Sequence, residues 1–248
     1  MNSLLLAIQF LSILPLRANK FSEKNMAWAL VYFPVVGLFL GGVLVGLNIL
    51  FSILNTTSIT INIILVISLI ILTAGMHLDG LADTADAFLS GKEKKEMLGI
   101  MRDPHIGAMG VLSLISVILL KVSLLSMVSV SLKPIALMLM CSLSRWAAVA
   151  TIFFFPYARQ EGKAGVFIKG MNLKIFIISS IAVVIFAAVI WQIKGAVVLM
   201  VVTGFSCVLG KFSTKKIGGI TGDTLGAEIE ITEIITLFMV FMLGNINY

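Results

Sequence analysis

The sequence carries little charge for its length. Of its 248 residues only 12% are charged, whereas 59% are hydrophobic, and the mean hydropathy is +1.11. A soluble domain of this length could not bury so much apolar surface. Several continuous apolar runs reach 18 residues or more, the length that crosses a bilayer as a helix, and they lack the alternation of barrel strands. The sequence therefore predicts an all-α, polytopic helical bundle in the lipid bilayer, forming one domain over residues 1–248.

Cysteine is nearly absent as well. The two cysteines, Cys141 and Cys207, lie inside apolar runs, so they indicate small core residues and neither a disulfide framework nor a zinc site. The first residues have no basic segment and no convincing cleavage site, so no removable signal peptide is predicted. The net charge of +6 is expected to orient the loops of a membrane protein, and no nucleic-acid partner is expected.

About seven transmembrane helices are predicted from the apolar runs. A shorter run, Ser3 to Leu14, ends at Pro15 and predicts an interfacial or re-entrant helix. Four glycines of the first span form two overlapping pairs with small-xxx-small spacing, which permits close helix contact or supports a homo-oligomer: Gly37, Gly41, Gly42 and Gly46. The predicted spans are 26–54, 59–76, 107–130, 135–155, 175–193, 196–210 and 231–243.

The loop charges predict an orientation. With seven spans, the basic loop residues lie on one side, including Arg17, Lys20 and Lys163, and only Lys133 and Lys194 lie on the other. The positive-inside rule makes the basic side cytoplasmic in a multi-pass protein of a prokaryotic cell membrane. All twelve acidic residues fall on or next to that side, although the rule does not require this. A carboxylate-rich site at the cytoplasmic face would explain it.

The segment from Ala74 to Phe88 contains the main polar pattern. Asp79, Asp83 and Asp86 have the spacing i, i+4 and i+7, which places them on one face of a helix. Such close carboxylates repel one another unless a cation lies between them. Oxygen ligands alone favour Mg²⁺ or Mn²⁺ over zinc. The alternative is a solvated helix end that carries acids by chance.

Three arginines and a histidine are further candidates. Arg102 could bind a phosphate oxygen, and His105 could act as a general base or contact a phosphate, whereas Asp103 is expected to cap the next helix. Arg145 lies well inside an apolar run, where an arginine is costly unless it meets an anion or an acidic partner. We favour an anion contact for Arg145. Arg159 follows at the end of the same span, and its alternative role is an interface anchor.

A second motif runs from Gly218 to Glu233. Its glycines would let the backbone approach a phosphate closely. Asp223 could complete a metal site with the first three aspartates. Glu230 and Glu233 share a helix face and could be ligands or their supporting partners. Together with the aspartate triad, this segment favours metal-assisted phosphoryl chemistry.

Taken together, the motifs resemble the cobalamin synthase family, the adenosylcobinamide-GDP ribazoletransferases. The resemblance covers nearly the whole chain. It rests on the following segments, in this order: Phe10-Leu-Ser-Ile-Leu-Pro15, Phe33-Pro-Val-Val-Gly37, His77-Leu-Asp-Gly-Leu-Ala-Asp-Thr-Ala-Asp86, Met101-Arg-Asp-Pro-His-Ile-Gly107, Ser144-Arg-Trp146, Pro156-Tyr-Ala-Arg159 and Thr221-Gly-Asp-Thr-Leu-Gly-Ala227.

The resemblance implies the last stage of coenzyme B12 assembly with Mg²⁺ as cofactor. Adenosylcobinamide-GDP would donate its adenosylcobinamide-phosphate part to α-ribazole or α-ribazole 5′-phosphate, and GMP would leave. The residues expected to bind metal are Asp79, Asp83, Asp86, Asp223 and Glu230; those expected to be catalytic are Asp83, Asp86 and His77; those expected to bind substrate are Arg102, His105, Arg145, Arg159, Thr221 and Gly222.

Two other classes of function compete with the enzyme. A transporter or channel would suit the many spans and the intramembrane residues Lys121 and Arg145, but transport sites usually lie near the bilayer midplane. A structural partner in a corrinoid-assembly complex would suit the glycines of the first span. The gathering of acids at one face favours chemistry.

Overall fold

A computed structural model describes residues 2–15, 22–159 and 165–245. Arg17, Lys20 and Lys163, which contributed to the predicted orientation, lie outside these ranges. The described chain is helical, with one short 3₁₀ turn, Leu30–Tyr32, joining α2 to α3. The helices are α1 Asn2–Leu11, α2 Glu23–Ala29, α3 Phe33–Ile53, α4 Ser58–Leu72, α5 Met76–Leu89, α6 Lys94–Ile100, α7 Ala108–Met127, α8 Lys133–Phe154, α9 Gly165–Lys169, α10 Leu173–Ile217 and α11 Gly222–Gly244.

The bundle is built around α8. Of its most apolar stretch 89% is buried, far more than in any other candidate span, and α3, α10 and α11 pack against it. Two glycines of α3 face this helix, because a Cβ at Gly37 would collide with the carbonyl of Cys141 and one at Gly41 would lie 2.8 Å from the Cα of Met138. A Cβ added at Gly42 or at Gly46 would meet no neighbouring atom within 4 Å. The predicted close helix contact is therefore confirmed for the first glycine pair only.

The prediction of about seven spans is not confirmed. Among the described residues, four segments are long and apolar enough to cross a bilayer, and a fifth qualifies if α4 and α5, bent by 88°, count as one span. Helix α4 alone has 15 residues, and α11 carries three glutamates in its apolar part. We therefore treat α5 and its aspartates as lying outside the spans. The four segments are Lys24–Ile53, Ala108–Met127, Lys133–Phe154 and Leu173–Ile217.

Helix α10 is interrupted by a sharp turn. Trp191 and Gln192 leave the helical conformation, with Gln192 at φ 48° and ψ −134°. A Cβ at Gly195 would collide with the carbonyl of Ala187, and eight residues of straight helix would hold these two about 12 Å apart. The chain therefore folds back on itself here. The hairpin predicted around Lys194 is present, with its turn a few residues earlier.

The two ends of the bundle differ in charge. Lys194 donates from Nζ to the carbonyl of Leu243 at 2.8 Å, and Lys133 donates to Ser58 at 3.1 Å. Leu132 packs against Gly244 at the same end. Helix α11 starts beside Asp223 at the other end, about 34 Å away along its 23 residues. The predicted separation of Lys133 and Lys194 from the acidic motif is confirmed.

A short N-terminal helix is present as predicted, and its interfacial or re-entrant placement stays a prediction. Helix α1 is short and packs on α2 and α3 through Leu6, Ala7 and Leu11. Cys141 is buried and Cys207 partly buried, and both are free thiols. The assignment of the chain to one domain stays a prediction.

Candidate functional site

A tight corner places the aspartate motif. Ala74 and Gly75 adopt left-handed conformations, at φ 52° and φ 66°, and the chain turns by 88° between α4 and α5. Glycine takes this conformation at little cost, whereas Ala74 pays a steric penalty. Asp79 then falls in the first turn of α5, where the helix dipole favours a carboxylate. The corner thus directs the acid-bearing helix away from the span that precedes it.

Two glycines let α5 and α11 cross closely. A Cβ at Gly80 would lie 2.8 Å from the carbonyl oxygen of Asp223, and one at Gly226 would lie 3.1 Å from that of His77. Any larger side chain would separate the two backbones. The glycines expected to approach a phosphate therefore include one, Gly226, that packs against the aspartate motif. Their contact brings Asp223 next to α5.

A short backbone bridge positions Arg159. The Ala158 N–H donates to the carbonyl of Ile220 at 2.9 Å, and the Ile220 N–H donates to that of Pro156 at 2.8 Å. Arg159 then donates from Nη2 to Oδ2 of Asp223 at 2.7 Å, with both side chains largely shielded from solvent. Arg159 is therefore part of the acidic site, which favours a site role over the alternative of an interface anchor.

Asp83 lies amid the other carboxylates. Partial burial, followed by the negative charges of Asp79, Asp223 and Asp86, raises the pKa of Asp83 from 3.8 to about 6, and Arg159 opposes this. The mutual influence of the three α5 acids confirms that they share a face, and Asp223 joins them as predicted. An excess of negative charge at this point favours a bound cation.

The carboxylates do not form a closed metal cage. Among the described residues, no three histidine, cysteine or acidic side chains converge on one point. Asp86 accepts the N–H of Gly107 at 2.7 Å and that of Gly110 at 2.8 Å, so both its oxygens satisfy the start of α7. Asp103 does not cap this helix, contrary to expectation, because its carboxylate accepts from His105. Asp79 and Asp83 make no hydrogen bond or ion pair within the described chain.

A cavity of about 270 Å³ opens beside the acids. Five of the predicted site residues line it: His77, Asp79, Arg159, Gly222 and Asp223. Part of the lining is aromatic: the rings of Phe10 and Phe167 have centroids 4.6 Å apart and that of Phe33 lies 5.9 Å from each. The lining thus combines a charged cluster with an aromatic cluster, which we call the aromatic wall.

His77 is the buried polar group of this cavity. It is 3% exposed, and neither ring nitrogen has a hydrogen-bond partner in the described chain. Buried polar atoms without partners are rare in proteins and suggest that a ligand or water supplies the partner. The predicted site role of His77 is compatible with this placement.

Four charged side chains form a buried network behind the cavity. Lys121 donates to Glu230 at 2.6 Å and also to Glu233, and Arg145 donates to Glu233. Arg145 is fully buried and does not line the cavity, so it has the acidic partner that we considered the alternative to an anion contact. Glu230 is likewise neutralised by Lys121 and lies apart from the four aspartates.

The remaining candidates lie at the edge of the site or serve the backbone. Arg102 and His105 are exposed in the loop after α6, and Nδ1 of His105 lies 2.6 Å from Asp103. Thr221 is buried as the N-cap of α11, where its hydroxyl and that of Thr224 satisfy each other's backbone N–H groups. The structure thus gives Thr221 a capping role.

Sequence reasoning missed the aromatic wall and the role of Lys121. Phe10 and Phe33 stand in motifs that carried the family resemblance, which was a usable signal, but Phe167 lies in no motif. Lys121 was noted as an intramembrane charge, and its two glutamate partners lie more than 100 residues away. No local pattern reveals such pairs.

The fold and the site define a helical membrane protein with an acidic cavity at one end of the bundle. A model of the family described as cobalamin-5-phosphate synthase matches residues 3–241. The chain belongs to this family.

Curated relatives agree with this assignment, and three of them are named adenosylcobinamide-GDP ribazoletransferase. The one from Desulforamulus reducens is 33% identical over 97% of this chain and 96% of its own. That from Caldanaerobacter subterraneus is 35% identical over 95% and 96%, and that from Roseiflexus is 36% identical over 93% and 86%. No solved structure matches the chain significantly.

Proposed function

We propose that this protein is an adenosylcobinamide-GDP ribazoletransferase, acting at the final step of cobalamin synthesis. It would transfer the adenosylcobinamide-phosphate group to a hydroxyl of α-ribazole or its 5′-phosphate and release GMP. The family membership carries the assignment, and the acidic cavity with Asp79, Asp223 and Arg159 supports it. The transporter and the structural partner have no support, since the relatives are named as transferases.

Mg²⁺ fits the donor set of the site. One or two of Asp79, Asp83 and Asp223 would hold the ion together with phosphate oxygens of the donor, and Mg²⁺ bound there would supply positive charge against the diphosphate. This ion usually takes one or two carboxylates together with substrate phosphates, so a closed protein cage is not required. Asp86 is occupied by its hydrogen bonds to the start of α7, and Glu230 by its ion pair with Lys121. Neither is therefore included among the proposed metal ligands.

The chain's own residues then have separate tasks. Arg159, which donates to Asp223, would donate a second hydrogen bond to a phosphate oxygen of the donor. A carboxylate oxygen of Asp83 that does not bind the ion is our proposed proton acceptor for the attacking hydroxyl. His77, in the wall of the cavity, would form a hydrogen bond with the acceptor substrate, α-ribazole or its 5′-phosphate. Arg102 and His105, exposed nearby, would meet the part of the donor outside the cavity.

The site is proposed to face the cytoplasm of a bacterial cell. The acids and most loop lysines lie at one end of the bundle, while Lys133 and Lys194 lie at the other. By the positive-inside rule the end with most loop lysines faces the cytoplasm, so the cavity would be open to soluble nucleotides there.

Turnover of the purified protein tests the proposal directly. The protein in detergent is given adenosylcobinamide-GDP and α-ribazole with Mg²⁺, and GMP and cobalamin are quantified with and without EDTA. We expect metal-dependent release of GMP, and Asp79→Asn should slow it on the order of 100-fold, because a ligand to a catalytic metal contributes several kcal/mol. Glu96→Gln changes an exposed carboxylate that contacts no proposed site residue and is the matched control. Folded protein that forms no cobalamin would overturn the assignment.

A further inference from the structure

We propose that the aromatic end of the cavity binds the apolar heterocyclic base of the acceptor nucleoside, and that Phe10, Phe33 and Phe167 set this specificity. The inference rests on the proposed function, since it assigns the acceptor to a particular part of that site. It adds residues that neither the aspartate motif nor the loop motifs contain.

Three separate elements build the aromatic wall. Phe10 comes from α1, Phe33 from the start of α3 and Phe167 from α9, and all three line the same cavity. Helix α9 has only five residues, and its Phe167 is 3% exposed. Rings with centroids 4.6 to 5.9 Å apart offer faces and edges against which a planar ring stacks.

The size of the cavity decides between the two substrates. A volume of about 270 Å³ equals that of roughly nine liquid water molecules and lies just below the range of ordinary small-molecule sites. One nucleoside is of this size class. The corrin macrocycle of the donor is several times larger and must remain outside, so only the acceptor or the guanine nucleotide of the donor can enter.

The polarity of the cavity lining decides whether guanine or the base of the acceptor binds at the aromatic end. The aromatic end presents Phe10, Leu11, Phe33 and Phe167, which offer no hydrogen bonds. Guanine has donors and acceptors along its edge, and leaving them unpaired in such a wall would cost binding free energy. A base with an apolar edge loses nothing there. With this base against the phenylalanines, the sugar of the nucleoside points to the polar side of the cavity, where His77 and Asp79 lie.

The test separates acceptor from donor kinetics. Phe10→Leu and Phe167→Leu keep apolar volume but remove the stacking face, and Phe39→Leu is the matched control because Phe39 is 50% exposed on the outer face of α3. We expect KM for α-ribazole to rise on the order of tenfold in both site variants, since stacking on one aromatic ring has about this effect. KM for adenosylcobinamide-GDP and the value of kcat should change little. Phe39→Leu should match the wild type.

Equilibrium binding provides a second measurement that needs no turnover. Calorimetry with α-ribazole and separately with GDP should show α-ribazole binding that both variants weaken. Ala148→Leu, which fills the cavity from α8, should weaken it too. A rise of KM for the donor alone, unchanged KM values, or competition by GDP for the α-ribazole site would each overturn the inference. Absent turnover with intact, phenylalanine-dependent α-ribazole binding would instead refute the proposed function and leave this site assignment standing.

Discussion

The carboxylate of Asp86 accepts the backbone N–H of Gly107, 21 residues along the chain, and its other oxygen accepts that of Gly110. These donors belong to the first turn of α7 and its N-cap, and no side chain of α7 satisfies them. The last aspartate of the motif therefore ties α5 to the next span. The carboxylates of Asp79 and Asp83 make no such bond in the described chain, so only Asp86 of the three has a structural role there, and the other two stay available to the proposed metal ion.

This division predicts a stability loss at Asp86 alone. Asp86→Ala leaves two N–H groups without their acceptor, and we expect a loss of about 1–2 kcal/mol of unfolding free energy, as for other helix caps. Asp86→Asn keeps one acceptor oxygen and should lose less. Thermal unfolding in detergent measures the difference, with Asp103→Asn, at an exposed carboxylate, as the control that should change stability little. Equal stability of Asp86→Ala and wild type would show that the cap is dispensable.

The shared face of the acids was predictable because it depends on spacing alone. Asp79, Asp83 and Asp86 follow the helical period, and no distant residue can change which face they occupy. The division of roles among them was not predictable. Asp86 has a structural role because it accepts the N–H of Gly107, and Asp223 is paired with Arg159. Both contacts form only after the helices pack.

The number of membrane spans shows the same limit of prediction from the sequence. Apolar runs fix where helices form, but their number across a bilayer depends on bends that composition does not contain. The corner at Ala74 and Gly75 and the turn at Trp191 are backbone events. Likewise Arg145 needed a partner on energetic grounds, yet Glu233 lies 88 residues away, and sequence spacing could not identify it.

The helix crossing at Gly80 predicts a steric effect. Gly80→Ala would place a methyl group 2.8 Å from the carbonyl oxygen of Asp223 and 3.0 Å from its Cα, so α5 and α11 must move apart. We expect turnover to fall at least tenfold, because sub-ångström to ångström displacement of catalytic groups has effects of this order. Gly42→Ala is the control, since nothing lies within 4 Å of it. Loss of activity in Gly42→Ala to the same extent would contradict this account.

The buried network predicts a rescue by a second substitution. Lys121 and Arg145 balance Glu230 and Glu233, so Lys121→Met leaves one uncompensated carboxylate in the bundle. We expect a loss of about 3–5 kcal/mol of unfolding free energy. Adding Glu230→Gln restores neutrality and should recover most of it. Chemical unfolding of the two variants in the same detergent decides the matter, and a double variant no more stable than the single one would show that charge balance is not the cause.

The crowding of carboxylates around Asp83 predicts a dependence on pH that Mg²⁺ relieves. The folded protein raises the pKa of Asp83 from 3.8 to about 6, so ionising this group costs more in the folded than in the unfolded state. Without divalent ions, its contribution to stability is therefore greatest below pH 4 and is lost as the pH rises to 6. A cation favours the ionised form and should reverse this loss. We expect Mg²⁺ to raise the melting temperature clearly at pH 7 and hardly at pH 5.

Asp83→Asn separates this effect from other titrations. The neutral amide removes one of the repelling charges, so the variant should be more stable than the wild type at pH 7 without Mg²⁺, and its response to Mg²⁺ should be smaller. Asp103→Asn, at an exposed carboxylate, should keep the full response. The measurement is a series of melting temperatures at pH 5, 6 and 7, with Mg²⁺ or EDTA. A Mg²⁺ response of equal size at all three pH values, or one that survives Asp83→Asn unchanged, would remove Asp83 from the metal site, and its raised pKa would then reflect only burial and repulsion.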